Sequence, residues 1–107
     1  MNLEPDFLHR ADSAMVQVQG VLDAFDPDEI EADLSSGVLK IRFGDGKVCV
    51  MNRQTAAQQI WLAEGASAWH FAWDPAAGGW LDTKGRGELR QILSEVLSRR
   101  LRRQIAI

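Results

Sequence analysis

The stretch that decides the fold is Ile30-Glu31-Ala32-Asp33-Leu34-Ser35-Ser36-Gly37-Val38-Leu39-Lys40-Ile41-Arg42-Phe43. Ile30, Ala32 and Leu34 alternate with Glu31, Asp33 and Ser35; past Ser36-Gly37, Leu39, Ile41 and Phe43 alternate with Lys40 and Arg42. A period of two means a strand with one apolar and one charged face. The pattern repeats downstream. Gly44-Asp45-Gly46 is a strong hairpin signal, and Lys47 to Met51 makes a third strand with Val48 and Val50 on one side. Gln58 to Ala63 makes a fourth, Ile60 and Leu62 inward and Gln59, Trp61 and Ala63 on the other face. In a fifth strand Trp69, Phe71 and Trp73 share one face, Ala68, His70 and Ala72 the other. Asp74-Pro75 to Gly79 turns the chain into a short last strand, Trp80-Leu81-Asp82.

Outside this block the period changes to that of a helix. Phe7, Ala11, Ala14/Met15, Val18, Val21/Leu22 and Phe25 recur at steps of three and four, which predicts an amphipathic helix over about 4–24. Pro5 suits its first turn, and Asp26-Pro27 ends it, because the residue before a proline is pushed out of helical geometry. Leu89, Ile92/Leu93, Val96/Leu97 and Leu101 predict a second helix over about 87–103. Helix, strands over about 29–82, then helix is an α+β order. The expected architecture is a single domain over 1–107, a two-layer sandwich with two helices on one face of an antiparallel sheet of about five to six strands.

The chain has 107 residues, 46% apolar and 25% charged, which is the composition of an ordinary globular domain. Its one cysteine, Cys49, forbids an intramolecular disulfide, and its sequence context favours a buried structural thiol. No apolar run approaches the roughly 20 residues of a membrane span, and Met1-Asn2-Leu3-Glu4-Pro5-Asp6 lacks the features of a secretion signal. A cytoplasmic location is expected. Net charge is only −3, but it is polarised. Nine acids and one base, Arg10, fall between Met1 and Asp33; six arginines and two acids fall between Arg86 and Arg103. The arginine end is a poor nucleic-acid platform, lacking interleaved aromatics, and it suits the negative end of a helix.

Asn52-Arg53-Gln54-Thr55 followed by Gln58-Gln59-Ile60-Trp61-Leu62-Ala63 resembles the frataxin signature N-[RK]-Q-x-P-x-x-Q-[IV]-W-L. Ser36-Gly37-Val38-Leu39 resembles the family's strand opening, and His70-Phe71 its aromatic fifth strand. The likeness runs over nearly the whole chain, so the chain is identified as a member of the bacterial frataxin family, the CyaY type. Three features depart from the family pattern: Ala56 stands at the usual proline, Gln17, Gln19 and Gly20 thin the acids of the first helix, and Arg99-Arg100-Leu101-Arg102-Arg103 is additional.

Asp23, Asp26, Asp28, Glu29, Glu31 and Asp33 form an acidic run with no base inside it. Two like charges about 7 Å apart repel by roughly 0.6 kcal/mol even in water, so the run invites a cation or a cationic partner. The plainer alternative is a solvated acidic face. The resemblance favours the first, with these six residues as weak surface ligands for Fe²⁺ or Fe³⁺, since oxygen donors without thiolate or imidazole suit hard cations. The resemblance also assigns Asn52, Gln54 and Trp61 to docking, with Glu31 and Asp33. The implied partner is cysteine desulfurase, with the cluster scaffold protein a second candidate; no nucleic acid or membrane is implied. A monomer is expected, with iron-dependent oligomers left open. No nucleophile–base pair or phosphate loop is visible, so an iron-binding regulator of iron–sulfur cluster assembly is expected rather than an enzyme. The alternatives are a ferroxidase and iron-storage protein, or an electrostatic regulatory module without iron.

Overall fold

A computed structural model describes residues 4–107, with side chains from Asp6 onward; Met1-Asn2-Leu3, part of the stretch read above for targeting, lies outside the described residues. Helix α1 (Glu4–Leu22) is followed by six strands, β1 (Ile30–Ser35), β2 (Val38–Phe43), β3 (Val48–Gln54), β4 (Gln59–Glu64), β5 (Ser67–Asp74) and β6 (Gly79–Asp82), and by helix α2 (Leu89–Leu101). The strands form one antiparallel meander in chain order. Among the described residues no helix is long and apolar enough to cross a membrane.

Each hairpin follows from local chemistry. Ser36 and Gly37, at φ 51° and 76°, make the two-residue turn between β1 and β2, whose twist matches that of the strands it joins. Gly44 has a different reason to be glycine. A Cβ there would lie 2.5 Å from the carbonyl oxygen of Asp28, and the Gly44 N–H donates to the Glu29 carbonyl at 3.1 Å. The segment leading into β1 is therefore clamped against the end of β2.

The apolar stripe of α1 is buried at Phe7, Ala11, Met15, Val18 and Leu22, and that of α2 at Leu89, Ile92, Leu93, Val96 and Leu97. Both meet the inward residues of the sheet, including Leu39, Ile41, Cys49, Met51, Ile60, Leu62 and Phe71, in one core. Burying each large side chain contributes about 1.5–3 kcal/mol before conformational entropy is charged against it. Trp69 and Trp80 join this core, and Trp73 packs against its edge.

The structure also shows what the periodicities leave open. The helices are shorter than expected at their ends, because α1 stops at Leu22 before a turn through Asp23–Glu29. Strand β3 runs on to Gln54, so Asn52, Arg53 and Gln54 are ladder residues rather than loop residues. After α2 the tail folds back: Ile105 N–H donates to Ser98 Oγ at 2.9 Å, Ile107 N–H donates to Ser94 Oγ at 3.1 Å, and Ile105 is buried.

Candidate functional site: an acidic border and an open sheet face

The six acids divide into three groups by the elements that carry them. Asp23 follows the last turn of α1, and Asp26 shapes the next turn: its Oδ1 accepts from Asp28 N–H at 2.9 Å, and its carbonyl from the N–H groups of Glu29 and Ile30 at 2.8 and 3.0 Å. Asp23, Asp26 and Asp28 are exposed and form no ion pair among the described residues. Glu29, just before the strand, accepts from both terminal nitrogens of the Arg103 guanidinium, Nη1 to Oε2 and Nη2 to Oε1, the latter at 2.5 Å. These hydrogen bonds hold its carboxyl below the usual glutamate range. Glu31 and Asp33 project from the outer face of β1, opposite Arg42 and Lys40 of β2.

That last pairing is invisible to a count along the chain. The acidic run holds no base, yet the hairpin register sets a base across from each of two acids. Cross-strand pairs of opposite charge contribute about 0.2–1 kcal/mol apiece, so self-repulsion on this face is partly relieved inside the molecule. No group of three or more His, Cys, Asp or Glu side chains close enough to share a metal ion occurs among the described residues.

The second feature is the outer face of the sheet. Asn52, Trp61 and His70 stand side by side across β3, β4 and β5. The Trp61 indole stacks on the His70 ring, centroids 4.2 Å apart and planes 11° from parallel, and its Nε1–H donates to Gln59 Oε1 at 2.8 Å. Gln54 and Gln59 form the neighbouring pair. Trp61 is half-buried, so one part of the indole remains open on this face. Asp33 and Glu31 lie on the same face, three strand spacings or about 14 Å across the sheet and two and four residues further along it, since Trp61 is in register with Asn52, Val38 and Ser35.

Several residues do work that their sequence positions did not announce. Arg53 lies inside the signature but faces the helices, pairing with Asp12 of α1 at 2.6 Å, while its backbone N–H donates to the Gly37 carbonyl. Asp82 faces inward after Trp80 and is buried. Its carboxylate accepts from Arg86 Nε at 2.7 Å and Nη2 at 3.0 Å. Those hydrogen bonds outweigh burial and bring its pKa down to about 2. A signal was there: strand alternation puts Asp82 on the side of Trp80, and Arg86 follows four residues later. The added arginines at the end of α2 are also employed. Arg100 pairs with Glu64 at 2.7 Å and lies 3.9 Å from Asp45, over the Phe43 ring. Cys49 is the buried thiol expected of it, with burial pushing its pKa up to about 12.

Residues 2–103 match the profile of the frataxin-like domain family. The iron-sulfur cluster assembly protein CyaY of Dechloromonas aromatica is 35% identical over 96 residues, 89% of each chain. Among solved structures, the frataxin from Psychromonas ingrahamii superposes with a TM-score of 0.80 at 21% identity, covering 99% of this chain and 97% of that one. A trimeric frataxin from the yeast Saccharomyces cerevisiae, complexed with ferrous iron, superposes at 0.62 with 23% identity, covering 96% of this chain and 88% of that one. With the profile spanning nearly the whole chain and the fold and signature in agreement, the chain belongs to the frataxin family.

Proposed function

We propose that the chain is an iron-binding adaptor of iron–sulfur cluster assembly in the cytoplasm, docking on cysteine desulfurase through the acidic border and the Trp61 face. The observation that carries this reading is the shared outer face: Glu31 and Asp33 at one edge, and the stacked Trp61 and His70 beside Asn52 at the centre. Charge at the rim steers and registers an oppositely charged partner, while a half-open tryptophan is a residue type enriched in binding hot spots. The curated CyaY relative supports the pathway, and the yeast structure supports iron as the metal.

The donor set fits iron as a weakly held cargo. Carboxylate oxygens suit hard cations, and with no three acids converging among the described residues, one or two of Asp23, Asp26, Asp28, Glu29, Glu31 and Asp33 would hold an ion that keeps most of its water. A ferroxidase needs closer convergence, so the proposed role is binding rather than catalysis.

Two measurements test the reading. Binding of desulfurase by the native chain, by Glu31→Lys/Asp33→Lys and by Trp61→Ala should show each variant weakened at least tenfold; undiminished binding by both variants overturns the docking surface. Titration with Co²⁺, in place of oxygen-sensitive Fe²⁺, should move amide signals between Asp23 and Asp33, and signals that stay still overturn the metal role. A second reading, regulation by charge without iron, is favoured by one observation: Glu29, Glu31 and Asp33 already face Arg103, Arg42 and Lys40. Desulfurase binding that depends on Glu31 and Asp33, together with silent Co²⁺ titrations, would select it.

A further inference from the structure

We infer that Arg103 is a built-in counter-cation that occupies the acidic border and holds down its affinity for divalent metal. The inference rests on the proposal that this border binds metal, and concerns how that binding is regulated.

Arg103 stands 74 residues from Glu29 in sequence, yet its guanidinium engages both oxygens of that carboxylate. The arginine is held there from several sides. Arg102 ends α2 in the left-handed conformation, φ 55°, with its N–H on the Ser98 carbonyl, and the Arg103 N–H reaches the same carbonyl at 3.3 Å. Beyond it the tail is pinned by Ser98 Oγ to both the N–H and the carbonyl of Ile105, at 2.9 and 3.1 Å, and Ile105 is buried. The guanidinium also lies 6.0 Å from the centre of the Phe25 ring, within the turn that carries Asp23, Asp26 and Asp28.

Stability alone does not account for the arrangement. The Arg103 side chain is 48% exposed and that of Glu29 30% exposed, and exposed ion pairs contribute little to folding. Position is another matter. The guanidinium's partner Glu29 lines the cleft that Asp26 and Asp28 form with Arg100 and Arg102. A metal ion approaching Glu29 must displace a bidentate partner, and one approaching Asp26 or Asp28 meets a nearby positive charge. Both effects lower affinity by Coulomb's law, and both are weakened by salt. The border therefore carries an internal competitor for its cargo.

The test is Co²⁺ titration of the folded full chain, followed by amide signals and calorimetry, for the native protein, Arg103→Gln and Arg103→Lys. Arg103→Gln should bind Co²⁺ about threefold to tenfold more tightly at low salt, with Glu29 newly among the residues that move. Arg103→Lys, which keeps the charge but loses the fork, should fall between, and serves alone if Arg103→Gln does not fold. In a Glu29→Gln background the gain from Arg103→Gln should shrink markedly. Native signals that move while both Arg103 variants match the native affinity would overturn this inference and leave the proposed function standing. Silence in every protein would overturn both. A native chain that stays silent while Arg103→Gln binds would overturn metal binding by the native border, and with it the claim that Arg103 lowers an affinity the chain retains.

Discussion

Asp82 and Glu29 each accept both arms of an arginine fork, yet the two pairs sit in opposite surroundings. Asp82 meets Arg86 four residues along the chain, its side chain is fully enclosed, and Arg86 Nη2 reaches on to the Ala68 carbonyl at 2.9 Å. Glu29 meets Arg103 across nearly the whole length of the chain, with both partners partly in water. Enclosure makes the first pair a condition of the fold, because a buried carboxylate stripped of its donors has nowhere to place its charge. Exposure makes the second pair exchangeable, since water, salt or another ion can stand in for either partner. One chemistry serves as a fastener at one end of the sheet and as an occupant at the other.

That contrast can be broken by experiment. The largest effect should come from Asp82→Ala. It removes the charge-assisted bonds that close the Asp82–Arg86 turn, and is expected to cost about 2–3 kcal/mol, lowering Tm by about 10–20 °C for a domain of this size. Thermal melts followed by circular dichroism measure it. A loss no greater than that from Arg103→Gln would erase the distinction drawn above.

Acid should reach the same pair by another route. The folded pKa of Asp82 is about 2, below the roughly 3.9 of an unfolded aspartate. Its stabilising contribution is therefore fully present above about pH 4 and lost as pH falls toward 2, where the unfolded chain binds the proton first. About 2–3 kcal/mol should disappear across that window. Urea midpoints from pH 5 to 2 should fall steeply in the native chain and less steeply in Asp82→Asn. The Glu29 carboxyl is also lowered, so it has the same sign, but its share should vanish in high salt whereas that of Asp82 persists.

Gly44→Ala probes the scaffold under the exposed pair. With a Cβ driven toward the Asp28 carbonyl, the turn before β1 must shift, at a cost of about 1–3 kcal/mol. Amide signals of Asp26 to Glu29 should move more than those of Asp82 to Arg86. The smallest change in stability is expected from Arg103→Gln, with Tm close to native at low salt and indistinguishable from it at high salt. A large drop would make that pair a second fastener.

Much of this molecule was readable before any coordinates. Alternation at Ile30–Phe43 and Trp69–Trp73, and the three-and-four spacing of Phe7 to Leu22, fix which side chains turn inward, because a strand or helix must bury one face whatever lies above it. Ser36-Gly37 announced its hairpin for a similarly local reason. The signature placed Asn52, Gln54 and Trp61 together, and β3 and β4 set them on one face by register.

What the sequence left open is where charge meets charge. Glu31 and Asp33 look unopposed along the chain, and Arg103 looks like a helix-end cation. Only the pairing of β1 with β2, and the turn of the tail after α2, decide that Arg42, Lys40 and Arg103 face those acids and Glu29. Asp82 is a similar case, polar in type and interior in place. Periodicity is a property of neighbours in the chain, which short-range sterics dictate. Electrostatic environment depends on distance through space, and closing the sheet under its two helices sets those distances.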